Sequence, residues 1–381
     1  MMSNCIARMQ NSMNVMVGDE VDAFNNHSLL TYTRPFDRGY LVNWQIEIDI
    51  WNRIFDANHL NISPKEHCLV VTEPPLNPLE CQNEMNEVIF EDYRFESCCR
   101  RPAAAFLEYH HFRQQQQQQE QQQRRNDHGC MLVVDSGFSS THIVPFINHR
   151  AMKNAIVRVD VGGKLITNYL KETISFRQVN VMDEFKLINQ LKEEMCAVTE
   201  KNASTNHHRN ISTSPRVFVL PDFQKTFNGM VIDRELVGNN SDQFLTMGSE
   251  CNSVPEILFS PNDIQMNQKG LIEAASSCIN SFPKEEASLI SENVLLTGGN
   301  IQFLNFRRRF HSELRKNVEN LEFINTSLIH NDSIVAPWKG ASTFAEHAMN
   351  NVDFHSKHFI NRSEYEEYGH YYCNNKFQQN W

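Results

Sequence analysis

Apolar residues recur along this chain in short blocks whose spacing switches between two and three to four, the pattern of strands alternating with helices. Met131 to Ser136 (MLVVDS) reads as a buried strand, Gly137 to Ser140 as a tight turn and Thr141 to Ile147 (THIVPFI) as its returning partner, so this stretch predicts a hairpin. Ile156 to Val161 (IVRVDV) predicts a further strand, closed by a turn at Gly162-Gly163-Lys164. Beyond it Leu165, Ile166, Tyr169, Leu170 and Ile174 repeat at helical spacing. Asp183 is placed to N-cap the next helix, whose apolar stripe is Leu187, Ile188, Leu191 and Met195 and whose other face is polar. Asn293 to Thr297 (NVLLT) repeats the order, running through Gly298-Gly299-Asn300 into a helix bearing Phe306, Phe310 and Leu314. Strand, glycine turn and helix in alternation predict an α/β architecture. Trp44 to Phe55 fits either element by pattern alone, with Ile46, Ile48 and Ile50 alternating as in a strand.

Two segments break the pattern. Gln114 to Gln123 holds nine glutamines interrupted by Glu120 and cannot bury apolar area against its chain entropy, so it reads as a mobile surface insertion. Thr199 to Pro215 (TEKNASTNHHRNISTSP) has no apolar period and reads as an exposed polar loop. No tandem repeat is present.

At 381 residues and 40% apolar composition the chain is long enough for two or three domains with their own cores. Its net charge of −11 arises from no single acidic block, and no basic cluster offers the footprint that phosphate-backbone binding needs. Direct, sequence-specific nucleic-acid binding is therefore not expected. No apolar run reaches the length of a membrane span, and the first residues lack the apolar core of a signal peptide, so no membrane is expected and the chain should stay inside the cell. The ten cysteines include no CxxC pair and read as free thiols. The His110/His111, His207/His208 and His355/His358 pairs lack cysteine partners at zinc-finger spacing.

The candidate chemistry lies in the three glycine turns. A bound phosphate needs converging backbone N–H groups, and glycine lets the backbone approach closely. Asp135-Ser136-Gly137 adds a carboxylate at a strand end, where it can hold a water of hydrated Mg²⁺. The structural alternatives are a turn carboxylate for Asp135 and close strand-to-helix packing for Gly162-Gly163 and Gly298-Gly299.

In order, these turns resemble the actin family of nucleotide-binding proteins. VVDSGFSSTHIVP (Val133 to Pro145) resembles that family's second phosphate loop, and VLLTGGN (Val294 to Asn300) its adenosine motif. VTEPPLNP with MNEVIFED (Val71 to Asp92) resembles its outer-domain segment. IVRVDVGGKLITNYLKE (Ile156 to Glu172), QLKEEMCAV (Gln190 to Val198) and VPEILFSPNDI (Val254 to Ile264) extend the match over most of the chain. GYLVNW (Gly39 to Trp44), ISFRQVNVMDE (Ile174 to Glu184) and EYEEYGHYYC (Glu364 to Cys373) look like one nuclear branch, the actin-related proteins of class six.

The resemblance implies the actin-like fold of two α/β domains around a nucleotide cleft, and makes Trp44 to Phe55 a helix. The outer domain would comprise residues 1–126 and 337–381, with the poly-glutamine insertion at 114–125. The inner domain would comprise 127–336, with the polar loop at 199–215, and the chain would cross near Asp127 and Pro337. The aromatic end, Tyr365, Tyr368, Tyr371, Tyr372, Phe377 and Trp381, is expected to pack rather than bind.

It also implies a nucleotide site built from Asp135, Ser136, Gly137, Gly163, Lys192, Glu193, Gly298, Gly299 and Phe303, with Asp135 holding Mg²⁺ through water. Lys192 and Glu193 fall on the polar helix face, where a solvated pair is the alternative. The family's first phosphate loop, of the type DNGxxxxKxG, has no counterpart here. Asn4 to Arg8 align with the family segment just downstream of that loop, so an outer-sheet edge and half the phosphate clamp would be missing, through a shortened copy or a start assigned elsewhere. Ala103 stands where the family has a water-positioning Gln. His142 fits the family's His but reads as a satisfied strand-end residue, and Phe138 makes the phosphate hairpin bulkier.

The expectation is thus a protein that is no enzyme, with ATP/Mg binding weak or absent. For the branch, the resemblance implies a scaffold subunit of the nuclear machine that exchanges a histone variant into nucleosomes. Its partners there would be a large remodelling ATPase and a small zinc-finger subunit, and a link to a heterochromatin protein is left open, as is a cytoplasmic pool. The competing readings are a nucleotide-dependent filament former of the cytoskeleton and a sugar kinase or chaperone ATPase; the Val71 to Asp92 motif speaks against the latter.

Overall fold

In the computed structural model, residues 2–9, 12–119, 129–199, 216–236, 243–318, 326–328 and 333–381 are described. The amino-terminal stretch forms three short strands, β1 (Ile6–Met9), β2 (Val15–Val17) and β3 (Leu30–Thr33), with the short helix α1 (Asp19–Ala23) between the second and third. The central β1 pairs antiparallel with both neighbours. A two-stranded hairpin, β4 (Phe36–Asp37) and β5 (Tyr40–Leu41), leads into α2 (Trp44–Phe55). Here helical packing overrides the alternation of β-branched residues: Asn43 caps the helix by accepting from the Ile46 amide, and Ile46, Ile50 and Trp51 share the buried face.

The outer-domain core gathers around β6 (Cys68–Glu73), α3 (Leu79–Glu87) and β7 (Ser97–Pro102). The strands β6 and β7 run parallel, and among the described residues no strand pairs with the other edge of β6. Arg100 is fully buried behind this sheet. Its Nε lies 3.2 Å from Glu73 Oε2, and Nη1 and Nη2 donate to Asn86 and Asn374 at 2.7 and 2.8 Å.

The helix α4 (Ala103–Gln119) follows directly, so Gln114 to Gln119 are helical rather than a loose insertion. Glutamine is a good helix former, and His110 and His111 bond one turn ahead to Gln114 and Gln115 at 2.9 and 2.7 Å. The rest of the tract, and positions 200–215 of the polar loop, lie outside the described residues.

The inner domain is organised on a mixed sheet. The predicted hairpin is β8 (Met131–Ser136) with β9 (Thr141–Ile147), which also pairs with β10 (Arg150–Ala151) and β11 (Val157–Val159). Two helices come next, α5 (Gly163–Arg177) and α6 (Phe185–Met195). Glu184, not Asp183, occupies the N-cap of α6, and its side chain makes no cap bond. A small antiparallel sheet of β12 (Arg216–Val219), β13 (Met230–Asp233) and β14 (Phe244–Thr246) precedes α7 (Glu250–Glu256), α8 (Leu271–Asn280) and α9 (Lys284–Glu292). The strand β15 (Val294–Thr297) then inserts parallel to β8 and is followed by α10 (Phe306–Asn317) and β16 (Thr326–Leu328). Phe306, Phe310 and Leu314 are wholly buried in the inner core, as their spacing predicts.

The chain returns to the outer domain through α11 (Ala336–Asn350), α12 (Val352–His358), β17 (Ile360–Asn361) and α13 (Arg362–Gln379). Ala104, Ala105 and Leu107 of α4 pack with Val133, Val144, Phe146, Leu295, Ala336 and Trp381, forming an apolar joint between the domains. Of the terminal aromatics, Tyr365, Phe377 and Trp381 are buried, whereas Tyr368, 54% exposed, packs against the Tyr372 ring at 5.0 Å and Tyr371 is 82% exposed. All ten cysteines are free thiols.

Candidate functional site: a glycine-lined cleft

The parallel strands β8 and β15 end side by side, with Asp135 opposite Thr297 in register. Ligands of open α/β sheets bind beyond such carboxyl ends. Here the two ends deliver Asp135-Ser136-Gly137 and Gly298-Gly299 to one cavity of about 590 Å³. Asp135, Gly137, Gly163, Lys192, Glu193, Gly298, Gly299 and Phe303 all line it, so eight of the nine residues named from sequence are brought together. The ninth, Ser136, is fully buried just behind.

Glycine is required at specific points. Gly298 has φ 96°, and a Cβ there would stand 2.2 Å from the Ser136 carbonyl oxygen; a Cβ on Gly162 would stand 2.5 Å from the Phe138 carbonyl. Gly299 differs, because a Cβ there would meet nothing within 4 Å. Its lack of a side chain leaves the wall open.

Most polar groups at the phosphate end face one another. The amides of Gly163 and Lys164, at the α5 N-terminus, donate to the carbonyls of Gly137 and Phe138 at 3.0 and 2.8 Å. Gly137 N–H donates to Ser140 O, and Gly298 N–H to Ser333 O. The Ser136 hydroxyl lies 2.9 Å from Thr141 Oγ1 and accepts from Asn300 Nδ2 at 3.1 Å; the same amide donates to Gly137 O at 2.8 Å. Asn300 thus ties the two glycine turns together, a role that the sequence named only as part of a turn.

Lys192 corrects the reading of a polar, solvated helix face. It is only 5% exposed, and its Nζ donates to Asn189 Oδ1 at 2.7 Å, Thr167 Oγ1 at 3.0 Å and Gly163 O at 3.4 Å. Burial lowers its pKa from the ordinary value. Glu193 is exposed and accepts from Asn189 Nδ2 at 2.8 Å, so the two neighbours do different things.

Asp135 opens on the cavity, and desolvation pushes its carboxyl up to about 6. His142 is not satisfied as expected: its Nε2 is buried without a hydrogen-bond partner, and burial lowers its pKa to about 4. Neither His142 nor Ala103 lines the cavity. The outer-domain wall opposite the hairpin is built from Ser3, Cys5, Asp22, His27, Tyr32 and Arg34 and contributes no glycine turn.

The two ends of the cavity differ. The wall at Gly299 is open, while the Gly137, Gly163, Lys164 and Gly298 amides and the Ser136 hydroxyl are engaged with protein atoms. A second, shallower concavity of about 470 Å³ over Phe55 and Tyr93 has none of these features.

Two α/β domains meeting at an apolar joint, with glycine turns from parallel strand ends lining the cleft, define a protein of the actin-like class. A family model described as Actin matches residues 1–378. Actin-related protein 6 of Drosophila melanogaster is 32% identical over 377 residues, covering 96% of this chain and 91% of its own. Actin-related protein 6 of Arabidopsis thaliana is 31% identical over 95% of this chain and 88% of its own, and that of Oryza sativa subsp. indica 31% identical over 98% and 92%. The chain belongs to the actin family and, within it, to the actin-related protein 6 group.

Proposed function

We propose that this protein is a non-catalytic scaffold subunit of a nuclear chromatin-remodelling complex that exchanges a histone variant into nucleosomes. Its partners are a large remodelling ATPase and a small zinc-finger subunit, and it reaches chromatin through them rather than by binding nucleic acid itself. The observation that supports a scaffold over an ATPase is the phosphate end of the cleft. Its Gly137, Gly163, Lys164 and Gly298 amides and the Ser136 hydroxyl bond to protein atoms, the Asp135 carboxyl is pushed up to about 6, and Ala103 has no amide to orient water. A net charge of −11 without basic clusters agrees with recruitment by protein surfaces.

Affinity purification of the full chain from nuclei tests the assignment. The expected outcome is recovery of a remodelling ATPase and a zinc-finger subunit; recovery of cytoskeletal partners alone refutes it. Calorimetry with Mg·ATP tests the non-catalytic part, where micromolar or tighter binding accompanied by phosphate release is the refuting result.

A further inference from the structure

Residues 27–40 of the outer domain cross the mouth of the cleft and touch the inner domain at three separate places. At the first, the Arg34 guanidinium carbon lies 5.3 Å from the centroid of the Phe138 ring and 5.1 Å from that of Phe185. Phe138 belongs to the phosphate hairpin and Phe185 opens α6, and the two rings meet edge to face at 6.1 Å. Both guanidinium distances fall within the range of cation–π attraction.

At the second, Lys186 Nζ lies 2.6 Å from His27 Nε2, and His27 Nδ1 lies 2.6 Å from the Tyr32 hydroxyl. An ammonium can only donate, so Nε2 accepts and Nδ1 carries the proton towards Tyr32. Burial first, and the Lys186 charge second, hold His27 down to about 4, which keeps this arrangement in place at neutral pH.

At the third, Arg158 Nη2 donates to the Arg38 carbonyl at 2.5 Å, and its guanidinium carbon stands 4.9 Å from the Tyr40 ring centroid. Arg38 and Gly39 both have positive φ, 47° and 86°, giving the tight two-residue turn that aims this carbonyl at Arg158. The turn abuts the phosphate hairpin, since a Cβ on Gly39 would touch Ser139 Cβ at 3.4 Å.

We infer that residues 27–40 are a built-in strap that closes the two domains over the cleft, with Arg34 between Phe138 and Phe185 as its fastening, so that closure requires no nucleotide. A ligand shifts a closure equilibrium only by its differential affinity for the closed state. In this chain side chains from both walls already supply that difference. Each cation–π contact corresponds to roughly a 2- to 5-fold shift in the closed-to-open ratio, and the two together to roughly 4- to 25-fold. The strap stands independently of the chromatin assignment.

The test is small-angle scattering and hydrogen exchange on the full chain, with and without Mg·ATP. The wild-type profile is expected to be the same in both conditions. Arg34→Ala should enlarge the particle and speed amide exchange in residues 30–38 by roughly 4- to 25-fold, in step with the closed-to-open ratio. Phe185→Ala, on the other domain, removes one of the two contacts and should shift both readouts in the same direction by roughly 2- to 5-fold, and Arg34→Lys should recover part of the protection because an ammonium still binds the ring faces. Unchanged scattering and exchange in both alanine variants, or a wild-type particle that contracts only when Mg·ATP is added, overturns the inference. If circular dichroism shows that Arg34→Ala fails to fold, Phe185→Ala and Arg34→Lys carry the same comparison.

Discussion

Replacing Asp135 by asparagine should stabilise this protein at neutral pH. In the unfolded chain the carboxyl titrates near 3.8, whereas in the fold desolvation raises it to about 6. Between those values the folded state binds more protons than the unfolded state, so stability falls as pH rises through the window, and the penalty is complete above it. A gap of about two pH units is worth roughly 3 kcal/mol at 1.36 kcal/mol per unit. Because the carboxylate lines the cavity and is partly exposed, screening reduces this to roughly 1–2 kcal/mol. Asparagine keeps the shape without the charge. Urea unfolding of both proteins at pH 4, 5, 6 and 7 isolates the effect, since all other titrating groups are shared. The variant's advantage should be near zero at pH 4 and reach roughly 1–2 kcal/mol by pH 7. An advantage that is absent at pH 7, or the same at every pH, refutes the reasoning. Addition of Mg·ATP should leave the difference unchanged, because the Gly137, Gly163 and Lys164 amides and the Ser136 hydroxyl are already held by protein atoms.

Arg100→Met should cost roughly 3–5 kcal/mol in chemical denaturation, because it leaves the buried Glu73 carboxylate without its cation; a loss below 1 kcal/mol would show that the outer core tolerates that charge. Gly298→Ala should destabilise by roughly 1–3 kcal/mol from backbone strain alone, with a further loss from the clash at Ser136 O, and a thermal midpoint equal to wild type would contradict the geometry. His358 is 9% exposed, packs on Phe344 and Phe354, and is held down to about 3 by burial and then by Arg101. Its neutral form favours the fold above pH 6.5, and that advantage drains away as pH falls towards 3, so His358→Phe should flatten the acid limb of a stability-versus-pH curve by roughly 2–4 kcal/mol.

The three glycine turns were legible because a backbone that approaches another carbonyl within van der Waals distance leaves a residue type behind, as at Gly162 and Gly298. Strand-end register then brought them together. Lys192 was not legible in the same way. A helical pattern assigns every lysine to the wet face, yet this ammonium is held by Thr167 and Gly163, both more than twenty residues upstream, and only α5 packing on α6 brings them near. Asn300 looked like a turn residue because its two acceptors lie on β8 and its hairpin. The contacts of Arg34 were equally invisible, since Phe138 and Phe185 lie more than a hundred positions away. For Gln114 to Gln119, composition pointed to a mobile surface insertion, but a helix already nucleated by buried Ala104 to Leu107 extends through any residue with good propensity.

That extension changes what a glutamine count means. In a flexible linker an extra residue adds slack and little else. In an α-helix anchored at Ala104 to Leu107, each residue inserted before Gln119 advances the chain by about 1.5 Å and turns it by about 100°. A single-codon slippage would therefore reorient whatever the helix presents at its far end, and three or four together would nearly restore the original bearing one turn further out. Tolerance of this gene to repeat-length variation should follow the helical period rather than the total number of glutamines.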